Sequence, residues 1–159
     1  METVQELIKL VTTNKDKYYR VAFAYVKNRE DALDIVHDAI VKGIQKYSSL
    51  RRKEYLETWF YRILINESIA CIRKRENTQY LDEFTESQIS DEAYDENVDY
   101  TMLYSSVDKL SPELKTVIIL RFFEEMKINE IAEITSMNLN TTKARLYKAL
   151  KILREYMEE

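Results

Sequence analysis

Residues 128–148, with the sequence INEIAEITSMNLNTTKARLYK, predict two helices joined by a tight turn. The first helix covers about Ile128 to Thr135, and the turn is Ser136-Met137-Asn138. Asn140 or Thr141 is expected to cap a second helix that runs to about Tyr156. Two helices of these lengths with a short turn are typical of a helix-turn-helix.

The packing of this pair follows from its apolar residues. Small Ala132 is expected to let the helices cross closely, with Leu139 and Leu146 filling the angle between them. The outward face carries polar and cationic residues in the half of the second helix that enters a DNA major groove in such motifs: Thr141, Lys143, Ala144, Arg145, Tyr147 and Lys148. Cations there can neutralise phosphates or contact base edges. The alternative is a plain helical hairpin with a basic, solvated face.

The rest of the chain also predicts helices, so the fold class is all-α. The 159 residues include one Gly and one Pro, and 45% are hydrophobic, which disfavours both turn-rich sheets and global disorder. Ser111-Pro112-Glu113 is a helix start, followed by an apolar stripe at Leu114, Val117, Ile118 and Phe122.

Three longer helices are predicted before residue 76. Thr3 begins a capping-box pattern with Glu6, and Asn28 is a plausible cap for the second helix. Apolar residues of that helix recur at helical spacing and are expected to be buried: Ala32, Ile35, Val36, Ala39, Ile40, Ile44 and Tyr47. A third helix, about Leu56 to Arg75, is expected to bury Leu56, Phe60, Ile63, Leu64 and Ile69.

Charge is segregated along the chain, although the net charge is only −4. Residues 51–75 hold seven Lys or Arg and three acids, residues 76–108 hold ten acids and no Lys or Arg, and residues 140–154 hold five bases and no acid. Local fields, rather than totals, guide binding to phosphates. We therefore predict two small helical domains, residues 1–76 and 106–159, joined by a flexible acidic linker, residues 77–105.

Several functional classes are disfavoured. The chain contains no apolar run near the roughly 20 residues of a membrane span and no basic-then-apolar leader, so no membrane contact and no export are expected. The lone Cys71 fits a reducing compartment, and it is either incidental or a thiol activated by neighbouring cations. No phosphate loop, nucleophile–base pair or cofactor motif is present, so neither enzymatic activity nor a cofactor is expected.

Acidic residues recur on one helix at Asp31, Asp34 and Asp38, with His37 beside them. A charged surface is the default interpretation of this pattern. A metal site with Asp34 and His37 one turn apart would need matching ligands on other helices, and these are not evident. No metal is therefore expected.

An aromatic and basic cluster lies around the start of the third helix. Rings interleaved with cations suit single-stranded DNA, on which each stacked base contributes roughly 1–3 kcal/mol. The cluster residues considered for this contact are Arg51, Arg52, Lys53, Tyr55 and Trp59. Phe60 is expected to be core and Trp59 at least partly so.

Three segments in this order resemble the ECF class of bacterial RNA polymerase sigma factors over nearly the whole chain. Residues 28–38 (NREDALDIVHD) resemble the segment that binds core polymerase, and residues 56–66 (LETWFYRILIN) resemble the segment that melts and recognises the −10 promoter element. Residues 110–148, beginning Leu110-Ser111-Pro112, resemble the domain that recognises the −35 element. The resemblance implies a transcription initiation factor that directs polymerase to promoters.

The resemblance also implies roles for individual residues. Asp31, Asp34, His37 and Asp38 would dock on the β′ coiled coil of core polymerase, with His37 standing where the family usually has Gln. The loop 48–55 would hold a flipped base, and Asn66 and Arg73 would face DNA. Partners would be core polymerase, promoter DNA and an anti-sigma protein, all met in the cytoplasm. The rival is a stand-alone regulator that binds an operator without polymerase.

Overall fold

The computed structural model describes the backbone of residues 2–79 and 105–157, and the side-chain surroundings of residues 4–76 and 105–156. These ranges contain helices and turns but no β-strand, so the all-α prediction is confirmed. The chain divides into two compact units, with residues 2–79 in unit 1 and residues 105–157 in unit 2. The predicted acidic linker falls largely outside the described residues.

Unit 1 consists of four helices. They are α1 (Glu2–Thr13), α2 (Lys15–Val26), α3 (Arg29–Gln45) and α4 (Leu56–Gln79), with 3₁₀ turns at Tyr47–Ser49 and Lys53–Tyr55 between α3 and α4. The predicted cap at Thr3 is wrong, because α1 already begins at Glu2. The predicted cap at Asn28 is confirmed, since its side-chain oxygen accepts a hydrogen bond from the Asp31 N–H at 2.9 Å.

Aromatic rings hold α2 against α4 in the core of unit 1. The Tyr18 ring centroid lies 4.9 Å from that of Phe60 and 5.4 Å from that of Tyr61. Phe60 and Leu64 are buried as predicted, whereas Leu56, Ile63 and Ile69 are only half-buried. Helix α4 packs against both α2 and α3, so more of its residues are buried than the single predicted stripe contains. The additional buried residues are Tyr61, Ile65, Ser68 and Ile72.

Gly43 allows α3 to approach its neighbours closely. A Cβ atom at this position would lie 3.2 Å from Leu7 Cδ2 on α1 and 3.6 Å from the Phe60 ring on α4. Both of those side chains are fully buried, so neither can move into solvent. The only Gly of the chain therefore stands where three helices meet.

Unit 2 contains three named helices. They are α5 (Pro112–Ile118), which continues into a π-helical turn at Ile119–Phe123, α6 (Ile128–Thr135) and α7 (Leu139–Met157). Residues 105–107 are also helical. The predicted start at Ser111-Pro112 is confirmed, since Ser111 Oγ accepts a hydrogen bond from the Leu114 N–H at 3.4 Å.

Phe122 does not belong to the buried stripe of α5, as the sequence predicted, but is 49% exposed. The reason is the π-helical turn, in which the Glu124 N–H bonds to the Ile119 carbonyl at 3.1 Å. An i→i+5 turn holds one more residue than an α-turn, so the periodicity that places Leu114, Val117 and Ile118 inside no longer applies at residue 122.

The helix-turn-helix is confirmed, with two corrections at its turn. Asn138, rather than Asn140 or Thr141, caps α7, because its Oδ1 accepts from the Thr141 N–H at 2.7 Å. The cap lies earlier than predicted, so Leu139 faces outward and is 42% exposed. Thr142 and Leu146 are both buried, and the Thr142 hydroxyl donates a hydrogen bond to the Asn138 carbonyl at 2.9 Å.

We expect Gly43→Val to destabilise the protein by about 2 kcal/mol, because overfilling a packed core typically costs about 1–3 kcal/mol. Gly43→Ala is the control, since its smaller contact with Leu7 is offset by a helix-propensity gain of up to about 1 kcal/mol. Urea unfolding measures both. Equal stability of the Val variant and the wild type would show that the three helices are not closely packed at Gly43.

We expect Ser136→Gly to stabilise unit 2 by about 0.5–1 kcal/mol. Ser136 ends α6 with a φ of 60°, a left-handed conformation that favours Gly at this position. Lys151→Gly, within α7, is the control and should destabilise by about 0.5–1 kcal/mol. Thermal unfolding of both variants checks the sign, and a lower melting temperature for Ser136→Gly would contradict the prediction.

Candidate nucleic-acid interface

The N-terminal half of α7 exposes the face that the sequence predicted. Lys143, Ala144, Tyr147 and Lys148 are exposed, and Tyr147 is 63% exposed. The opposite face is buried in unit 2 at Thr142, Leu146, Ala149 and Leu153. An aromatic side chain flanked by two cations, on a helix whose other face is fixed by packing, presents a rigid surface to a DNA groove.

Thr141 and Arg145 differ from the other four predicted residues. Both are half-buried, and the Thr141 N–H is occupied by the Asn138 cap. They border the exposed face of α7 rather than forming its centre, so the six predicted residues comprise four central and two flanking positions.

The loop before α4 exposes the predicted cations. Arg51, Arg52, Lys53 and Tyr55 are all exposed. Lys53 Nζ lies 3.6 Å from a carboxylate oxygen of Glu6 on α1, which ties this loop to the first helix. Surface ion pairs of this kind are weak, so Lys53 can exchange Glu6 for a phosphate at little cost.

Trp59 lies half-buried at the base of this loop. Its ring meets the Tyr47 ring edge-on, with centroids 6.0 Å apart and an interplanar angle of 86°. Part of the indole is therefore already engaged within the protein, in agreement with the expectation that Trp59 is partly core.

Asn66 and Arg73 lie on one exposed face of α4, seven residues apart. Seven residues are two helical turns, so the two side chains point the same way. The exposed Arg62, one turn before Asn66, belongs to the same face. It was not among the predicted site residues, although its i−4 spacing from Asn66 would have identified it.

The predicted acidic surface of α3 is only partly available. Asp34, His37 and Asp38 are exposed, whereas Asp31 is half-buried, with a carboxylate oxygen 3.9 Å from Arg75 Nε. The set thus divides into three solvent-facing residues and one that contacts α4.

An exposed apolar stripe on α3 is the main feature that the sequence prediction missed. Leu33, Val41 and Ile44 are 47%, 38% and 42% exposed. Together with His37 they recur at intervals of four, four and three residues, which places them on one face. We call Leu33, His37, Val41 and Ile44 the α3 stripe.

Ile44 was predicted to be buried, and that prediction is wrong. The core position at this end of α3 is occupied by Gly43, whose neighbour Ile44 is rotated by about 100° towards solvent. The sequence signal for the exposed apolar face of α3 was the spacing of Leu33, Val41 and Ile44, at i, i+8 and i+11, outside the buried stripe.

Two polar contacts join α3 to α4: the Asp31–Arg75 pair described above, and Lys42–Glu67. Lys42 donates to Glu67, and this hydrogen bond, with the charge of Glu67, raises the pKa of Lys42.

Burial raises the pKa of the Cys71 thiol, and the charge of Asp31 raises it further. Together these effects outweigh the opposite effects of Arg75 and Lys74. The higher pKa disfavours the alternative that Cys71 is a thiol activated by neighbouring cations.

In the described parts of the chain, no group of three or more His, Cys, Asp or Glu side chains is placed to hold a metal ion. Within the same residues, none of the helices has the length and apolar character needed to cross a membrane.

Two family profiles match the chain, one for each unit. The profile described as Sigma-70 region 2 matches residues 10–78, and the profile described as Sigma-70, region 4 matches residues 100–153. The first match includes α3, the loop 48–55 (the basic loop) and nearly all of α4, and the second includes the helix-turn-helix.

Similar proteins share this organisation. RNA polymerase sigma factor SigV of Bacillus subtilis (strain 168) is 44% identical over 148 residues, which cover 93% of this chain and 89% of that protein. ECF RNA polymerase sigma factor SigW of the same strain is 29% identical over 164 aligned residues, covering 94% of this chain and 88% of its own length.

A solved structure supports the fold. The sigma factor RpoE from Bartonella quintana, determined in complex with the anti-sigma factor NepR, superposes with a TM-score of 0.77 at 23% identity, covering 97% of this chain and 98% of that chain. CnrH, determined in complex with the cytosolic domain of CnrY, has a TM-score of 0.71 at 16% identity, covering 97% and 88% of the two chains.

Three findings identify the family. The chain matches sigma-70 regions 2 and 4 in that order, a relative is 44% identical along nearly the whole chain, and unit 2 contains a helix-turn-helix. The chain belongs to the ECF class of RNA polymerase sigma factors.

Proposed function

We propose that this sigma factor acts through three separate surfaces: the α3 stripe with its neighbouring acids, the basic loop with α4, and the exposed face of α7. As a sigma factor it is a promoter-recognising transcription initiation factor that acts with RNA polymerase. The proposal assigns the steps of that function to residues.

The α3 surface docks on core polymerase. The observation that carries this assignment is the α3 stripe, a solvent-facing apolar surface on a helix whose other face is already packed. Apolar surface of this kind on a soluble unit marks a protein contact. Asp34 and Asp38 lie beside the stripe and supply charge that orients the docking on the β′ coiled coil.

The basic loop and α4 hold the melted −10 element. Arg51, Arg52, Lys53 and Tyr55 supply cations and a ring at the loop, and Asn66 and Arg73 continue the surface along α4. Exposed cations track the backbone of a single strand, and aromatic rings stack on its bases. Trp59 contributes the part of its indole that Tyr47 does not cover.

The exposed face of α7 recognises the −35 duplex. Lys143, Ala144, Tyr147 and Lys148 lie at its centre, and Thr141 and Arg145 flank them. Ala144 permits close approach, Tyr147 provides an apolar contact, and the cations contact phosphates or base edges. Each contact is weak by itself, and joining both DNA surfaces on one polymerase makes their effects multiply.

The boundaries of the units belong to the same proposal. Residues 1–76 form the polymerase-binding and −10 domain, residues 106–159 form the −35 domain, and residues 77–105 link them. The linker sequence is acidic, so it can pass through a positively charged channel built for nucleic acid.

Sigma factors are non-catalytic transcription factors that act with the cytoplasmic polymerase. We extend both statements to this chain: it is not an enzyme, it needs no cofactor or metal, and it acts in the cytoplasm. An anti-sigma protein is its proposed inhibitor, because the structural neighbour RpoE was determined in complex with the anti-sigma factor NepR. The α3 stripe is a surface that such a protein would cover.

Run-off transcription with purified core polymerase on genomic fragments tests the whole proposal. Discrete transcripts that depend on this protein are expected. A gel shift with and without core polymerase distinguishes this proposal from the rival function, since a stand-alone regulator binds its operator tightly without polymerase. Tight operator binding by the isolated protein, without transcripts, would establish the rival instead.

We expect the double variant Leu33→Ser/Ile44→Ser to weaken binding to core polymerase by at least about tenfold. Fully burying a Leu or Ile side chain contributes about 1.5–3 kcal/mol, and these two are partly exposed in the free protein. Titration with labelled core polymerase measures the affinity. Ile8→Ser, an equally exposed apolar residue on α1 at 46%, is the matched control; a similar loss in this control would contradict a specific role for the α3 stripe.

We expect Lys143→Gln/Lys148→Gln to reduce transcription from −35-dependent promoters by at least about tenfold, since each good base or phosphate contact contributes about 1–3 kcal/mol. Affinity for core polymerase should not change, because α7 lies in unit 2 and the docking surface lies in unit 1. Run-off assays at several salt concentrations measure the loss. Lys9→Gln, which removes an exposed cation of α1, serves as the control; an equal loss there would point to net charge rather than to α7.

A further inference from the structure

Arg75, the last cation of the Arg73-Lys74-Arg75 cluster towards the end of α4, contacts both α2 and α3. Its Nη1 donates a hydrogen bond to the Val26 carbonyl at 3.0 Å, and its Nε lies 3.9 Å from Asp31 Oδ2. The family resemblance assigned only Arg73 of this cluster to DNA, and the contacts direct Arg75 towards α2 and α3.

The place that Arg75 contacts is the junction between two helices. Val26 is the last residue of α2, Lys27 adopts a left-handed φ of 50°, and Asn28 caps α3. A cation at the end of α2 is favoured by the partial negative charge of its last carbonyls. The same guanidinium faces the acid in the first turn of α3, so one side chain joins α4 to both sides of the junction.

The surroundings of Cys71 agree with this placement. Cys71 lies one turn before Arg75, and the charges of Asp31 and Arg75 both act on its thiol. Cys71 is half-buried and Arg75 reaches Asp31, so this face of α4 lies beside the start of α3.

We propose that Arg75 is a positioning residue for polymerase docking: it holds the α2–α3 junction, and with it the start of the α3 stripe, against α4. The inference rests on the proposed docking surface on α3. It separates the role of Arg75 from the DNA role of Arg73 and gives Asp31 a partner within the chain, so that Asp31 acts through Arg75 and the other three predicted residues face polymerase.

Replacement by Lys separates this role from phosphate binding. A planar guanidinium can satisfy the Val26 carbonyl and the Asp31 carboxylate at once, whereas an ammonium group at the end of a flexible chain cannot hold both in one geometry. A phosphate contact by Arg75 would be largely preserved by Lys, because charge is what it requires.

The experiment compares Arg75→Lys, Arg75→Gln and Arg73→Gln in the full chain. Two quantities are measured: affinity for core polymerase, and the salt dependence with which the reconstituted holoenzyme binds forked promoter DNA. Both Arg75 variants should lose about three- to tenfold in polymerase affinity with an unchanged salt slope. Arg73→Gln should keep the polymerase affinity and lower the slope by about 0.7, the value for one single-strand phosphate.

A second variant, Asp31→Asn, distinguishes the loss of the Asp31–Arg75 contact from a general loss of folding. Asp31→Asn should also weaken polymerase binding, and its effect should not add to that of Arg75→Gln, because both remove the same contact. Additive effects, full activity of Arg75→Lys, or a reduced salt slope in Arg75→Gln would each overturn the inference. Wild-type protein that fails to bind core polymerase would overturn the proposed function as well, which distinguishes the two failures.

Discussion

Helix α3 is packed on one face and exposes large apolar residues on another, and the organisation of unit 1 depends on this arrangement. Ala32, Ile35 and Ala39 bury one face, and Gly43 brings the end of the helix against Leu7 and Phe60. That packing leaves no freedom for α3 to rotate and bury Leu33 or Ile44. The packing of the opposite face therefore keeps the α3 stripe exposed to solvent, where the proposed docking requires it.

Charge segregation serves a similar purpose for DNA. The net charge of −4 gives no sign of nucleic-acid binding, yet the structure exposes cations on the loop before α4 and on the outer face of α7. Potentials at a binding surface depend on nearby charges, because salt screens distant ones. Polar contacts between α3 and α4, at Lys42–Glu67 and Asp31–Arg75, place the helix proposed to dock on polymerase beside the helix proposed to contact melted DNA.

Sequence periodicity and capping predicted much of this fold. The bounds of α6 at Ile128 and Thr135, the Asn28 cap and the Ser111-Pro112 start agree with the structure, since each depends on local chemistry. Ile44 was assigned wrongly because, in a sequence, an exposed apolar residue at helical spacing has the same pattern as one that packs in the core. The position of Arg75 depends on a contact across 49 residues, which no local pattern contains. The residue roles at the two DNA surfaces stay predictions.

The π-helical turn at Ile119–Phe123 shows how length alone can alter a surface. One additional residue in a turn changes the direction of the side chains that follow it around the helix axis. Phe122 is therefore exposed to solvent instead of buried, although its position in the sequence stripe is that of a core residue. Insertions and deletions at this point would thus add or withdraw an aromatic contact while the helices on either side keep their own cores. Unit 2 can in this way vary one exposed ring independently of the exposed face of α7.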